Sequence, residues 1–116
     1  MRVYEKLVRD RIPEIIRERG ANCETRTLTD AEYRAALRTK LTEEVSEYLE
    51  SGELSELADI YEVIRALAKL GGHDGAALEA ARVEKERARG AFAEKVYLVS
   101  VEEAESNPLD SMKSSS

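Results

Sequence analysis

The chain has 116 residues, 24 acidic and 18 basic, with a formal net charge of −6, 36% charged residues, 5% aromatics and no Trp. That length suits one domain with a modest core, near the size at which a partner subunit helps. The composition fits a helical protein better than a β-sandwich or barrel. A single cysteine, Cys23, excludes an internal disulfide and a cysteine-based zinc site. The acidic balance argues against binding a nucleic acid polymer. No apolar run approaches a membrane span or a signal peptide, so the expectation is a cytoplasmic protein without membrane attachment.

Residues 1–9, MRVYEKLVR, read as a short irregular or extended start anchored by Val3, Leu7 and Val8. Asp10 suits an N-cap with Pro13 in the first turn, opening a helix that runs to about Arg19 and stops at Gly20. The stretch 23–28 alternates weakly and reads as a short strand or extended connector. Thr29-Asp30-Ala31-Glu32 is a capping box. It opens the longest helix, about 31–50, which ends at Ser51-Gly52. A third helix covers about 53–70 and stops at Gly71-Gly72. Asp74 caps a fourth, about 76–88, which Gly90 ends. The β-branched alternation of 96–101 reads as a strand, for which 23–28 is the available partner in a small two-stranded element. One domain over 1–104 is expected, followed by a disordered tail at 105–116.

The charge is concentrated. Eight acids (Glu43, Glu44, Glu47, Glu50, Glu53, Glu56, Asp59 and Glu62) fall within positions 43–62, with no Lys or Arg among them. Removing them leaves 16 acids against 18 bases, so the negative charge belongs to one segment. Glu44 and Glu47 share one helical face, and so do Glu56 and Asp59. On one continuous helix the pair centres would sit about 120° and roughly 18 Å apart. The break at Ser51-Gly52 lets the chain reverse, so that antiparallel helices face their acids across a groove. Four such carboxylates repel one another without a cation, and hard oxygen ligands select Mg²⁺, with Mn²⁺ as the alternative. The competing reading is a solvated acidic face, against which stands the lack of basic i+4 partners.

Cations suited to phosphate binding are Arg82, Lys85 and Arg89, on one face of the fourth helix, together with Lys6 and Arg9; ordinary surface pairing with Glu79, Glu84 or Glu86 is the alternative for the helical set. Tyr48 and Tyr61 read as packing residues, His73 as a loop residue and Cys23 as a small buried hydrophobe. Leu54, Leu57, Tyr61, Ile64 and Leu67 form an apolar stripe that Ile60 and Val63 broaden beyond one face. Such a helix asks for burial on more than one side, which favours self-association.

Glu43-Glu44-x-x-Glu47 followed by Glu56-x-x-Asp59 resembles the EExxE…ExxD signature of the MazG-like all-α nucleoside triphosphate pyrophosphohydrolases. Lys6-Leu7-Val8-Arg9-Asp10-Arg11-Ile12-Pro13 and Arg89-Gly90-Ala91-Phe92 resemble the small phosphoribosyl-ATP pyrophosphohydrolase-like subfamily. The similarity spans about residues 4–101, and this chain departs from it in the short connection between Glu47 and Glu56. The resemblance implies a mainly α, four-helix MazG-like bundle with an antiparallel central pair, assembled as a homodimer or homotetramer. It implies Glu44, Glu47, Glu56 and Asp59 as Mg²⁺ ligands, with Glu43, Glu44 and Glu47 catalytic and Glu43 supporting the ligands or acting as base for water. The implied reaction converts a nucleoside triphosphate to the monophosphate and pyrophosphate, as house-cleaning of non-standard or surplus (d)NTPs. Phosphoribosyl-ATP is the alternative substrate, and a non-enzymatic helical dimerisation or regulatory module the alternative class.

Overall fold

The computed structural model describes residues 1–102 of the chain. The tail expected at 105–116 lies outside them. The fold is mainly α: four helices, α1 (Ile12–Glu18), α2 (Asp30–Ser51), α3 (Leu54–Leu70) and α4 (Gly75–Arg89), with no strand among the described residues. The described residues divide into two units, one over 1–84 and one from Lys85 onward. The described part of the second holds the end of α4 and a turn in which Lys95 N donates to Phe92 O at 3.3 Å. No helix among the described residues is long and apolar enough to cross a membrane.

Local chemistry sets the helix bounds. α1 begins one residue later than an Asp10 cap would have it. Arg11 is the cap residue and offers no side-chain cap bond, while a backbone turn, Ile12 N to Arg9 O at 3.0 Å, starts the helix and Pro13 sits in its first turn. The helix closes when Ala21 N reaches back to Ile16 O and Gly20 N to Arg17 O, with Gly20 at φ +87. At α2 the capping box is complete: Glu32 N donates to Thr29 Oγ1 at 3.2 Å, and Thr29 N donates to Glu32 Oε1 at 2.9 Å. Arg26 braces Glu32 at 3.4 Å, and the Thr29 amide, then Arg26, hold the Glu32 carboxyl below the usual range. Thr29→Ala removes one bond and slackens the other, so a loss of about 1 kcal/mol is expected in urea unfolding, with the slope unchanged. α4 starts on the expected cap, Ala77 N donating to Asp74 Oδ1 at 2.8 Å.

The element expected to pair 23–28 with 96–101 is absent from the described residues, where neither stretch forms strand. Alternating β-branched residues express a preference for a partnered pleat, and without cross-strand neighbours that preference does not make a strand. The start of the 23–28 segment is tied to α1 instead, the Cys23 thiol donating to Pro13 O at 3.8 Å and Arg17 to Cys23 O at 3.5 Å.

α2 and α3 are the helix pair that packs side by side. Gly52 makes the reversal. Its φ of +66 is left-handed, the region where a side chain is strained and glycine is not, and its N–H donates to Tyr48 O at 2.8 Å. Only Gly52 and Glu53 separate the helices, so they run antiparallel. Between them the buried apolar residues are few: Leu37 on α2 and Val63 on α3. Much apolar surface stays open on the same hairpin, including Val45, Leu49, Leu54, Leu57, Tyr61 and Ile64.

Candidate functional site

The hairpin turn falls midway between Glu44 and Asp59 in sequence, so the two face each other across the α2–α3 seam. Glu44, Glu56 and Asp59 each bring a carboxylate oxygen, and the three oxygens lie within 4.8 Å of one another. Around an octahedral Mg²⁺, adjacent ligand oxygens stand about 3 Å apart and opposite ones about 4.2 Å, so the trio is gathered near one point and would draw closer to ligate a single ion.

Glu44 is the inner member. It is 6% exposed, and its Oε2 is buried without a hydrogen-bond partner. Such an oxygen costs about 1–3 kcal/mol, and more when charged. Its other oxygen, Oε1, lies 3.3 Å from Lys40 Nζ, one turn earlier on α2. Burial pushes the Glu44 carboxyl up; the neighbouring Glu47 carboxyl adds to the shift, and Lys40 opposes it. A buried, orphaned carboxylate oxygen beside two further carboxylates is the donor set a hard divalent cation fits.

The remaining predicted residues divide. Glu47 stands on the exposed side of α2, next to Glu44 and outside the trio. Glu43 is half-buried and lies 3.5 Å from Lys40 and 3.7 Å from Lys6. Arg9 Nη2 donates to Asp59 Oδ1 at 2.6 Å. Lys6 and Arg9 therefore reach the acidic site, lining an open groove of about 280 Å³ with Lys40, Glu44 and Asp59. Arg82 is instead held by Glu79 on its own helix at 2.6 Å. Its hydrogen bonds and charge keep the Glu79 carboxyl below the usual range. Lys85 and Arg89 belong to the second unit.

Lys40 escaped the sequence reading. Its spacing to Glu43 and Glu44, three and four positions on, was the available signal.

No family profile matches the chain, and no solved structure matches it. A stretch of 42 residues, 36% of the chain, is 62% identical to an uncharacterized protein of Mycolicibacterium smegmatis. The matched stretch covers 43% of that relative, less than half its length.

Chemically, the arrangement offers three oxygen donors from two rigid helices, one acid beside them under two lysines, and an arginine at the rim. That is a setting for binding a divalent cation and, with it, a polyanion.

Proposed function

We propose that this chain is a Mg²⁺-dependent nucleoside triphosphate pyrophosphohydrolase of the MazG-like kind, acting in the cytoplasm on non-standard or surplus (d)NTPs. The observation that carries the reading is the convergence of Glu44, Glu56 and Asp59, with an oxygen of Glu44 buried and unpartnered.

In this reading Glu44, Glu56 and Asp59 would hold the ion, and Glu47 would join them from the solvent side. When bound, Mg²⁺ would neutralise the triphosphate and make a water more acidic. Hydrolysis then needs the water oxygen bonded to phosphorus, its proton accepted, and the bridging oxygen between the α- and β-phosphates released with pyrophosphate. Glu43 is our candidate for the proton, because Lys6 and Lys40 orient its carboxylate. Lys6 and Arg9 would meet the phosphates from the groove's edge, where exposure leaves them free to turn toward a ligand. The expected result is pyrophosphate release from at least one member of a (d)NTP panel with Mg²⁺ and none with EDTA. No metal-dependent release from any member would end the reading.

We further propose that the chain works as a homo-oligomer. Its support is the open apolar surface of the α2–α3 hairpin: Leu54, Leu57, Tyr61 and Ile64 follow one face of α3, and Val45 and Leu49 are exposed on the last two turns of α2. An exposed face of this kind, with so little apolar material buried among the described residues, is suited to a second copy.

A further inference from the structure

The basic residues around the trio carry a further inference, which rests on the cation-site reading above. The acids that would hold a metal already hold side-chain cations: Asp59 has Arg9 at 2.6 Å, and Glu44 has Lys40 at 3.3 Å. These two cations differ in how they are held. Lys40 is 16% exposed and sits one turn from Glu44 on the same helix, so it cannot withdraw far. Arg9 comes from the segment 1–9, which has neither helix nor strand. It is 53% exposed on its side chain, and its pairing with Asp59 spans fifty residues of sequence. Lys6, from the same segment, contacts Glu43, and Lys6 and half-buried Leu7 line a small open cavity with Ala36 and Thr39 of α2. The segment therefore lies along the hairpin as a strap that runs into α1 through the Arg9–Ile12 backbone turn, and one exposed ion pair holds the Arg9 side chain on Asp59.

We infer that this strap is a built-in counter-ion for the candidate metal site. Arg9 neutralises Asp59 when no cation is bound, and a divalent cation competes with Arg9 for that carboxylate. A carboxylate oxygen engaged by a guanidinium at 2.6 Å has its best lone pair occupied, and a guanidinium beside a doubly charged ion is repelled by it. Cation loading therefore frees Arg9 from Asp59. The freed guanidinium is left at the groove's edge, where the phosphates of a substrate would meet it as a planar, bidentate donor. Exposed pairs of this kind are weak, which makes the exchange reversible.

The test measures Mn²⁺ binding by calorimetry for the wild type, Arg9→Gln and the control Arg11→Gln, whose residue pairs with Glu14 instead. Trypsin cleavage after Lys6 and Arg9 in the wild type is followed with Mn²⁺ and with EDTA. Arg9→Gln should bind Mn²⁺ about fivefold tighter, the equivalent of an exposed pair removed from competition, while Arg11→Gln stays at the wild-type value. Mn²⁺ should speed cleavage of the wild-type strap, and EDTA should reverse the effect. A wild type that binds Mn²⁺ while Arg9→Gln binds no tighter overturns the strap and leaves the metal site standing. Tighter binding with cleavage indifferent to Mn²⁺ reduces Arg9 to a background charge and overturns it equally. Absence of Mn²⁺ binding in every protein removes the metal site together with the strap.

Discussion

Glu44→Gln is expected to do two opposite things: raise the melting temperature of the metal-free protein and remove the stabilisation that Mg²⁺ confers. The first effect follows from the buried, unpartnered Oε2 and the pressure of Glu47, which make the ionised carboxylate costly where it lies. Removing the charge should be worth about 1 kcal/mol, a shift of several degrees in a chain this size. The second follows because a ligand that binds only the folded state stabilises it by about 2.7 kcal/mol at a hundred times its Kd, and the variant lacks the central ligand. Metal-dependent turnover should fall at least a hundredfold, since supporting residues alone are worth about 10–100-fold.

The same variant carries a pH signature. A carboxyl whose folded-state pKa is raised contributes stability that is whole below the usual glutamate value and is lost as pH rises through the raised one. The metal-free wild type should therefore lose this contribution as pH rises above the usual glutamate range, and Glu44→Gln should not. Thermal melts across that range, with Mg²⁺ and with EDTA, read every part. A variant that melts like the wild type under all these conditions would return the acids to the status of a solvated face.

Leu57→Glu should convert the proposed oligomer to monomer. Leu57 lies at the middle of the exposed stripe formed with Leu54, Tyr61 and Ile64. Burying a leucine is worth about 1.5–3 kcal/mol, and a glutamate in its place brings a charge that must be stripped of water. In a two-fold interface each change counts twice. The dissociation constant should weaken by two to three orders of magnitude, on roughly 3–4 kcal/mol. Sedimentation velocity over a concentration series measures it. A wild type that is monomeric throughout the accessible range, or a variant with unchanged association, would defeat the proposal. Few apolar side chains are buried among the described residues, so the dissociated variant should also melt earlier.

Much of the frame was legible in the residues because its determinants are local. The capping box at Thr29, the cap at Asp74 and the glycines after each helix act over three or four positions. The antiparallel pair was legible for a different reason: two acid pairs twelve positions apart cannot converge on one straight helix, and Gly52 was the one place to fold back. What the sequence concealed was depth. Helical spacing puts Glu44 and Glu47 on one face, yet Glu44 is buried and Glu47 is exposed, a difference set by where α3 lies. The partners of the acids were hidden for a related reason. Arg9 and Asp59 are fifty positions apart, and no periodicity links an irregular segment to a helix. Lys40 stood at the edge of the acidic stretch and was passed over there. The strand expectation at 96–101 erred by reading side-chain preference where a partner decides.

The two-residue connection at Gly52–Glu53 makes the acidic site a matter of phase. Each residue advances an α-helix by about 100°. One residue added to that connection would turn the leading face of α3 by more than a quarter of a circle, carrying Glu56 and Asp59 away from Glu44 with every side chain intact. The site is thus encoded in a count as much as in chemistry, and the spacing from Glu44 to Asp59 is as much a part of it as the carboxylates themselves.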